Sequence, residues 1–441
     1  MKRLILAPTA ALLASVMIMT ACTETKKRSR TEPAEVHFQS LFPETANDDP
    51  YVKVLLNAVA HFNELNSDIK VVVDYMPAGT TMVTEQDIFK LLRSDKAPDI
   101  IGFPVSQVQV AGQENLLFDL RRVSDKKALD IPERVLDLAS IDGKLLALPY
   151  AAYPSIVMYN KETFDAANLT YPQGEWTWEQ FQDIAEKINK DGGSLLPYDI
   201  EALDLLAGSA GQGLLSPDGE TAVGYLDSPE AIKALRWMNE TYRKGSDDAS
   251  KSPKNRMDLM SEFNGKKIGM MIGSMGFRMP TFMGENSDKL GVAPIPHFEG
   301  GNRTNPVFFD GYGISAKSKH PDAAWKFIEY LSLSGNEDSS KLADMYLATS
   351  KAVSEAIGQA KDPAKSVYLE ELNYAVKPSI DNNPLFRQAW SEVLAAQFLN
   401  LLTVSDEDIP QKMKELALEL DQQLIRLKNE QETAGSTAEG S

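Results

Sequence analysis

Short β-branched runs alternate with amphipathic runs through the first quarter of the chain, and this alternation limits the architecture more than any other feature. Residues 35–40 (EVHFQS), 69–75 (IKVVVDY) and 98–103 read as strands. Between them, residues 51–66 place Val52, Leu55, Leu56, Val59, Phe62 and Leu65 at helical spacing, and residues 85–94 form a second helical run. Strands separated by helices predict βαβ units and a largely parallel sheet. The pattern restarts at residues 155–159 (SIVMY). Thr177-Trp178-Glu179-Gln180 is a capping box opening a helix through Asn189. Ser228-Pro229 pairs an N-cap with a proline at the first helical position, and that helix ends near Gly245. Strands follow at 266–272, 291–295 and 311–315, then a helix over 321–333. At 441 residues the chain is long enough for two or three units, and two α/β lobes fit the restart better than one large sheet.

The N-terminus supplies the address. Lys2 and Arg3 precede an apolar stretch over 4–21, and the only cysteine, Cys22, follows at once. A charged start, a short apolar core and small residues before a cut site describe a secretory signal. Met19-Thr20-Ala21-Cys22 resembles a bacterial lipobox, in which the cysteine is acylated with palmitate-type chains and becomes the mature N-terminus. Methionine stands here where leucine is usual. An eighteen-residue stretch could also serve as an uncleaved anchor, but placing the sole cysteine at the cut point favours the lipobox. Residues 22–34 then form a polar tether, and residues 429–441 (NEQETAGSTAEGS) read as a disordered tail. The body between 35 and 428 is expected to fold outside the cytoplasm, held to the cell membrane by Cys22.

Composition narrows the chemistry. With 63 acidic against 45 basic residues the net charge is −18, which argues against an electrostatic footprint on nucleic acid. One cysteine excludes a disulfide framework and a multi-cysteine zinc site. His37, His61, His297 and His320 have no metal-ligand spacing, so no metal or cofactor is expected. Gly273-Ser274-Met275-Gly276 lacks the first glycine of a nucleophile elbow, and residues 208–213 (GSAGQG) lack the lysine of a phosphate loop. Ser124-Asp125-Lys126-Lys127 matches S-x-x-K without its companion motifs. Carboxylates are too plentiful for any pair to stand out as acid and base, so no catalysis is expected. Met257, Met260, Met270, Met271, Met275, Met279 and Met283 form a cluster that would suit Cu(I) or, more simply, core packing beside an adaptable surface.

Three segments then carry a family resemblance. Ile141-Asp142-Gly143-Lys144 through Pro149-Tyr150, followed by Tyr159-Asn160-Lys161, is similar to a DGK-x-x-x-x-P…YNK pattern, with a Trp-Thr-Trp-Glu-Gln-Phe helix start after it. Phe263-Asn264-Gly265-Lys266 with Gly269-Met270 resembles an F-x-x-GK-x-AM strand. Gly311-Tyr312-Gly313-Ile314-Ser315 before the helix at 321–333 resembles a GGYGIS strand and its helix. In that order they resemble the family 1 extracellular solute-binding proteins of bacterial ABC importers, the group that includes maltose-binding protein.

The resemblance implies an α/β, two-lobed periplasmic-binding-protein fold (type II) with a hinge of three crossings. Lobe one would comprise 35–151 with 296–345, and lobe two 152–295 with 346–428. It implies a monomer that captures a carbohydrate between its lobes and delivers it to an ABC permease. Position by position it points to Gln39, Ser40, Phe103, Tyr153, Ser274, Met275, Asp310, Gly311, Tyr312 and Trp390 as ligand contacts. Each of these has a structural alternative as well: core, hinge or turn. Trp176, Trp178, Trp237 and Trp325 read as scaffold, as do Asn160 and Lys161. Two other readings stay open. A receptor of the same fold could take a polyamine, an anion or a metal complex, an anion calling for Arg278 or Arg387. A surface enzyme acting on glycans would need two carboxylates flanking the cleft.

Overall fold

A computed structural model describes residues 32–46, 48–77, 84–124, 129–188, 199–245, 256–274, 288–393 and 398–438. Cys22, the signal at 1–21, most of the tether and Met275 lie outside the described residues, as does the side chain of Phe103.

The opening follows the alternation seen in the sequence. Strand β1 (Ala34–Pro43) leads to helix α1 (Pro50–Leu65), which Asp49 caps by accepting the Tyr51 and Val52 N–H groups. Strand β2 (Ile69–Met76) pairs parallel with β1. Helix α2 (Glu85–Arg93) starts in a capping box between Thr84 and Asp87. Strand β3 (Ile100–Pro104) pairs parallel with β1 on its other side and runs into α3 (Val105–Gln113). The Ile141-Asp142-Gly143-Lys144 motif is a tight hairpin: Asp142 and Gly143 both have positive φ (50° and 75°), as a two-residue Asp-Gly loop requires.

Strand β4 (Leu148–Tyr153) belongs to the first sheet and β5 (Ile156–Asn160), three residues on, to the second. Asn160 then caps the next helix by accepting the Glu162 N–H at 2.9 Å, which makes the YNK match structural. Helix α4 (Trp178–Ile188) begins with the reciprocal Thr177–Gln180 bonds of the capping box. Helices α5 (Ile200–Ala210), α6 (Pro229–Gly245) and α7 (Arg256–Asn264) follow, then β6 (Met270–Gly273) and β7 (Leu290–Ala293). The chain returns in β8 (Phe308–Ile314) and α8 (Pro321–Ser332). Near its end lie α9 (Phe386–Val393) and α10 (Ile409–Ala438).

The sheets are less parallel than the alternation predicts. Strand order is β2-β1-β3-β8-β4 in one sheet and β6-β5-β7 in the other. Strand β8 is antiparallel to β3 and β4, and both neighbours of β5 are antiparallel to it. The cause is connectivity: β8 enters the first sheet from the second unit, so it arrives from the opposite end.

Two cores result. One gathers Val36, Phe38, Leu55, Phe62, Ile100 and Phe327. The other gathers Trp176, Trp178, Phe181, Leu203, Trp237 and Phe298. Each such large side chain taken from water contributes about 1.5–3 kcal/mol. Trp325 is buried in the first core, so all four scaffold tryptophans are interior. Met270 and Met271 are buried strand residues, in line with the packing reading of the methionine cluster.

Two expected boundaries move. Residues 346–375, assigned from sequence to the second lobe, pack in the first core through Leu347, Tyr368, Leu372 and Ala375. They are held to β4 by the Ala152 N–H donating to the Leu347 carbonyl (3.1 Å) and by the Thr349 hydroxyl donating to the Pro149 carbonyl (2.6 Å). The third crossing therefore falls after Ala375, not near 345. Residues 429–438, expected in a disordered tail, continue α10.

Candidate ligand-binding cleft

The carboxyl end of β1, the start of α1, strands β4 and β8 and residues 344–347 surround a cleft of about 780 Å³. Strand ends of α/β sheets are a common place for ligands. Alternation along β8 puts Phe308, Asp310 and Tyr312 on one face. Opposite them, β4 bulges: Asp310 pairs with Ala151 and Gly311 with Pro149, so Tyr150 has no register partner. A bulge re-aims a side chain. The Tyr150 ring lies stacked on Tyr312, with centroids 4.5 Å apart and planes at 21°.

Around that stack, Tyr346 meets Tyr150 edge-on at 5.1 Å, and the Tyr51 and Tyr312 hydroxyls are 3.4 Å apart. Tyr153 donates its hydroxyl to Asp310 Oδ2 at 2.6 Å. Burial pushes the phenol of Tyr51 up and those of Tyr150, Tyr312 and Tyr346 well above their ordinary value of 10. These phenols therefore stay protonated at any physiological pH and can donate hydrogen bonds. Rings and donors on one wall, with the Asp310 carboxylate among them, can hold a flat polyhydroxylated molecule.

Of the residues singled out from sequence, Gln39, Ser40, Tyr153, Asp310 and Tyr312 come together in this cleft. Gln39 already donates through Nε2 to the Ser40 carbonyl (2.9 Å) and the Asp74 carbonyl (3.2 Å). Ser40 Oγ donates to the Phe42 carbonyl (3.2 Å) and accepts the Phe42 N–H (3.1 Å). Gly311 faces the neighbouring strand instead: a Cβ there would stand 2.9 Å from the Leu148 carbonyl oxygen, so glycine is required by strand approach. Phe103 sits opposite Gly311 in the β3–β8 ladder. Trp390 lines neither this cleft nor the smaller cavity described next. It is buried in the second core, stacked on Phe386 and edge-on to Phe398, because residues 386, 389 and 390 form the inward face of α9. Tyr51, Tyr150 and Tyr346 were not foreseen. The aromatic directly after the Asp49-Pro50 cap was a usable signal for Tyr51.

Ser274 lines a separate, smaller cavity of about 60 Å³ with Ser155, Trp178, Asp204 and Phe308. Asp204 is 3% exposed. It accepts the Ser379 N–H (2.8 Å), the Ser379 hydroxyl and the Leu214 N–H (3.3 Å). Burial raises its pKa from 3.8 to about 6 against the opposing pull of those bonds. Arg387, a candidate for anion binding, is paired with Asp381 (3.1 Å) and Glu201 (3.2 Å). Arg278 lies outside the described residues. Among the described residues no group of three His, Cys, Asp or Glu side chains could hold a metal.

Comparison with known proteins agrees with this architecture. Residues 43–338 match the family model described as bacterial extracellular solute-binding protein. A binding protein of Brucella abortus is 26% identical over 207 residues, 45% of this chain, and the chain spans about half (49%) of that relative's length. The maltodextrin-binding protein of Bacillus subtilis is 25% identical over 334 residues, covering 71% of this chain and 76% of its own. Among solved structures, the sugar-binding protein MalE of Xanthomonas citri superposes with a TM-score of 0.71 at 17% identity, over 90% of this chain and 99% of its own. That likeness is one of fold, the two-lobed type II arrangement. The chain belongs to the bacterial extracellular solute-binding proteins, a family of binding proteins and not of enzymes.

Proposed function

We propose that this protein is a lipid-anchored receptor that captures a carbohydrate between its lobes and hands it to an ABC permease. The observation that carries the reading is the Tyr150–Tyr312 stack beside the Tyr153–Asp310 pair. A pyranose has apolar faces that lie against aromatic rings, and its hydroxyls take the phenolic donors and the carboxylate, whose charge-assisted bonds are the stronger ones. Tyr153, Asp310 and Tyr312 are the contacts proposed first, with Gln39 and Ser40 at the end of β1. Ser274, on the smaller cavity, and Met275 are proposed as further contacts from the second lobe. The sugar specificities named for the Bacillus and Xanthomonas relatives support the same class of ligand. Closure would follow from the ligand's preference for the closed arrangement, and the permease would read that shape.

A thermal-shift screen of a chain starting at Thr23, against sugars, polyamines, amino acids and anions, tests the ligand class. A ligand at 100 times its dissociation constant adds about 2.7 kcal/mol of stability. A selective shift with one sugar, recovered unchanged, is the expected result. A shift only with a charged solute would replace the carbohydrate reading. The anchor is tested separately: Cys22→Ala should move the protein from the membrane fraction to the soluble one and abolish labelling by a palmitate analogue.

A further inference from the structure

All three crossings between the two cores meet in one buried polar knot. The first crossing lies between β4, which ends at Tyr153 in the first sheet, and β5, which starts at Ile156 in the second, and contains Ser155. The second lies between Phe298 and Val307 and contains Arg303 and Asn305. The third lies between Ala375 and Ile380, and Glu371 and Tyr374 stand just before it. Asn305, with no exposed surface, accepts the Ser155 N–H at 2.9 Å. Its amide donates to the Ser155 carbonyl and to Glu371 Oε2, each at 2.7 Å. Glu371 Oε1 takes Arg303 Nη2 at 2.8 Å, and the Ile295 N–H also bonds this carboxylate. The Arg303 guanidinium lies 3.8 Å from the centre of the Tyr374 ring and 3.5 Å from Glu175, next to Trp176 of the second core. Residues Asn305–Pro306 and Ala375–Val376 pair in parallel alongside.

Such a knot is a poor source of net stability. Removing two charges from water offsets most of their attraction, and Arg303 Nε is buried without an acceptor. What the knot does supply is a single arrangement, because its bonds close together only when the three strands of chain keep one relative setting. We propose that Glu371, Asn305 and Arg303 are positioning residues of the hinge: the knot selects the lobe arrangement seen here over others, and so tunes ligand affinity without touching the ligand. The affinity half of this statement rests on the receptor reading above; the hinge half does not.

The test is hydrogen–deuterium exchange on the full-length, ligand-free protein and its Glu371→Gln variant, followed by titration with the sugar found in the screen. Loosening the knot should raise exchange about tenfold in peptides from all three crossings, Ser155 included although Glu371 does not touch it, and leave β1 and β6 unchanged. Affinity should then change by on the order of fivefold. Faster exchange everywhere would mean global destabilisation, and faster exchange only around residue 371 would mean a local contact. Either result, or no change, overturns the proposal. Should Glu371→Gln fail to fold, Arg303→Lys keeps the charge but loses the fork and the stacking on Tyr374, and is read by the same criteria. Exchange as expected with no sugar bound by the wild type would sink the carbohydrate reading and leave the hinge assignment standing.

Discussion

Two aspartates, each held by a hydroxyl, show how differently the halves of this molecule use the same pair of groups. Asp310 takes the Tyr153 hydroxyl on a wall of the 780 Å³ cleft and is half-buried. Asp204 takes the Ser379 hydroxyl and two backbone N–H groups, and is sealed. At Asp204 the chain itself supplies the donors, so the carboxylate serves the fold and ties the third crossing to α5. Asp310 lines the cleft, where its proposed role is to bind a solute. Burial, not residue type, separates the sealed acid from the one on the cleft wall.

The sharpest way to break this contrast lies on the sealed side. Trp178, with no exposed surface, packs against Phe181 and Trp237 beside the Asp204 cavity. Trp178→Ala should cost about 3–5 kcal/mol in chemical denaturation. A loss much below that would mean the second core is not closely packed.

Next comes Asp204 itself. Folding favours its protonated form, so its contribution to stability is complete below 3.8 and is lost as pH rises to about 6. The difference amounts to about 3 kcal/mol, and Asp204→Asn should flatten the stability–pH curve between pH 4 and 6. An unchanged curve would show that the acid is not held away from water.

On the open side the effects should fall on binding. Asp310→Ala is expected to weaken the sugar by about 2–3 kcal/mol, measured by calorimetry, with little change in melting temperature. If it melts the protein instead, Asp310 belongs with Asp204. Tyr153→Phe, the smallest change, should cost about 1 kcal/mol of affinity, since only the hydroxyl is lost. Equal binding by this variant would remove the Tyr153–Asp310 pair from the recognition scheme.

Local features were the most legible in the sequence. The spacing over 51–66 gives α1 to within a residue, and the Thr177–Gln180 capping box forms as written. Such signals are made by neighbours along the chain. Strand direction in β8 was not legible, because it depends on where the chain has been before it returns. Nor was the β4 bulge that turns Tyr150 onto Tyr312, since a single extra residue leaves no pattern. The segment 346–375 misled because its short helices have little periodicity to indicate which core they serve. Trp390 looked like a ligand platform but occupies the inward face of a helix, a distinction that only the packing of α9 against α10 makes.

The place of β8 in its sheet has a consequence for biogenesis. It lies between β3 and β4, yet it emerges after the strands of the second sheet, and Tyr153 meets Asp310 across 157 residues of chain. As the chain leaves an export channel from its N-terminus, residues 34–153 must wait with β4 unpaired and an edge of β3 open until residue 314 arrives. Closing so long a loop is slow, and an open edge invites pairing with another chain. The lobe that is begun first thus waits for its central strand until the second sheet has been made, and during that interval the cleft wall does not yet exist.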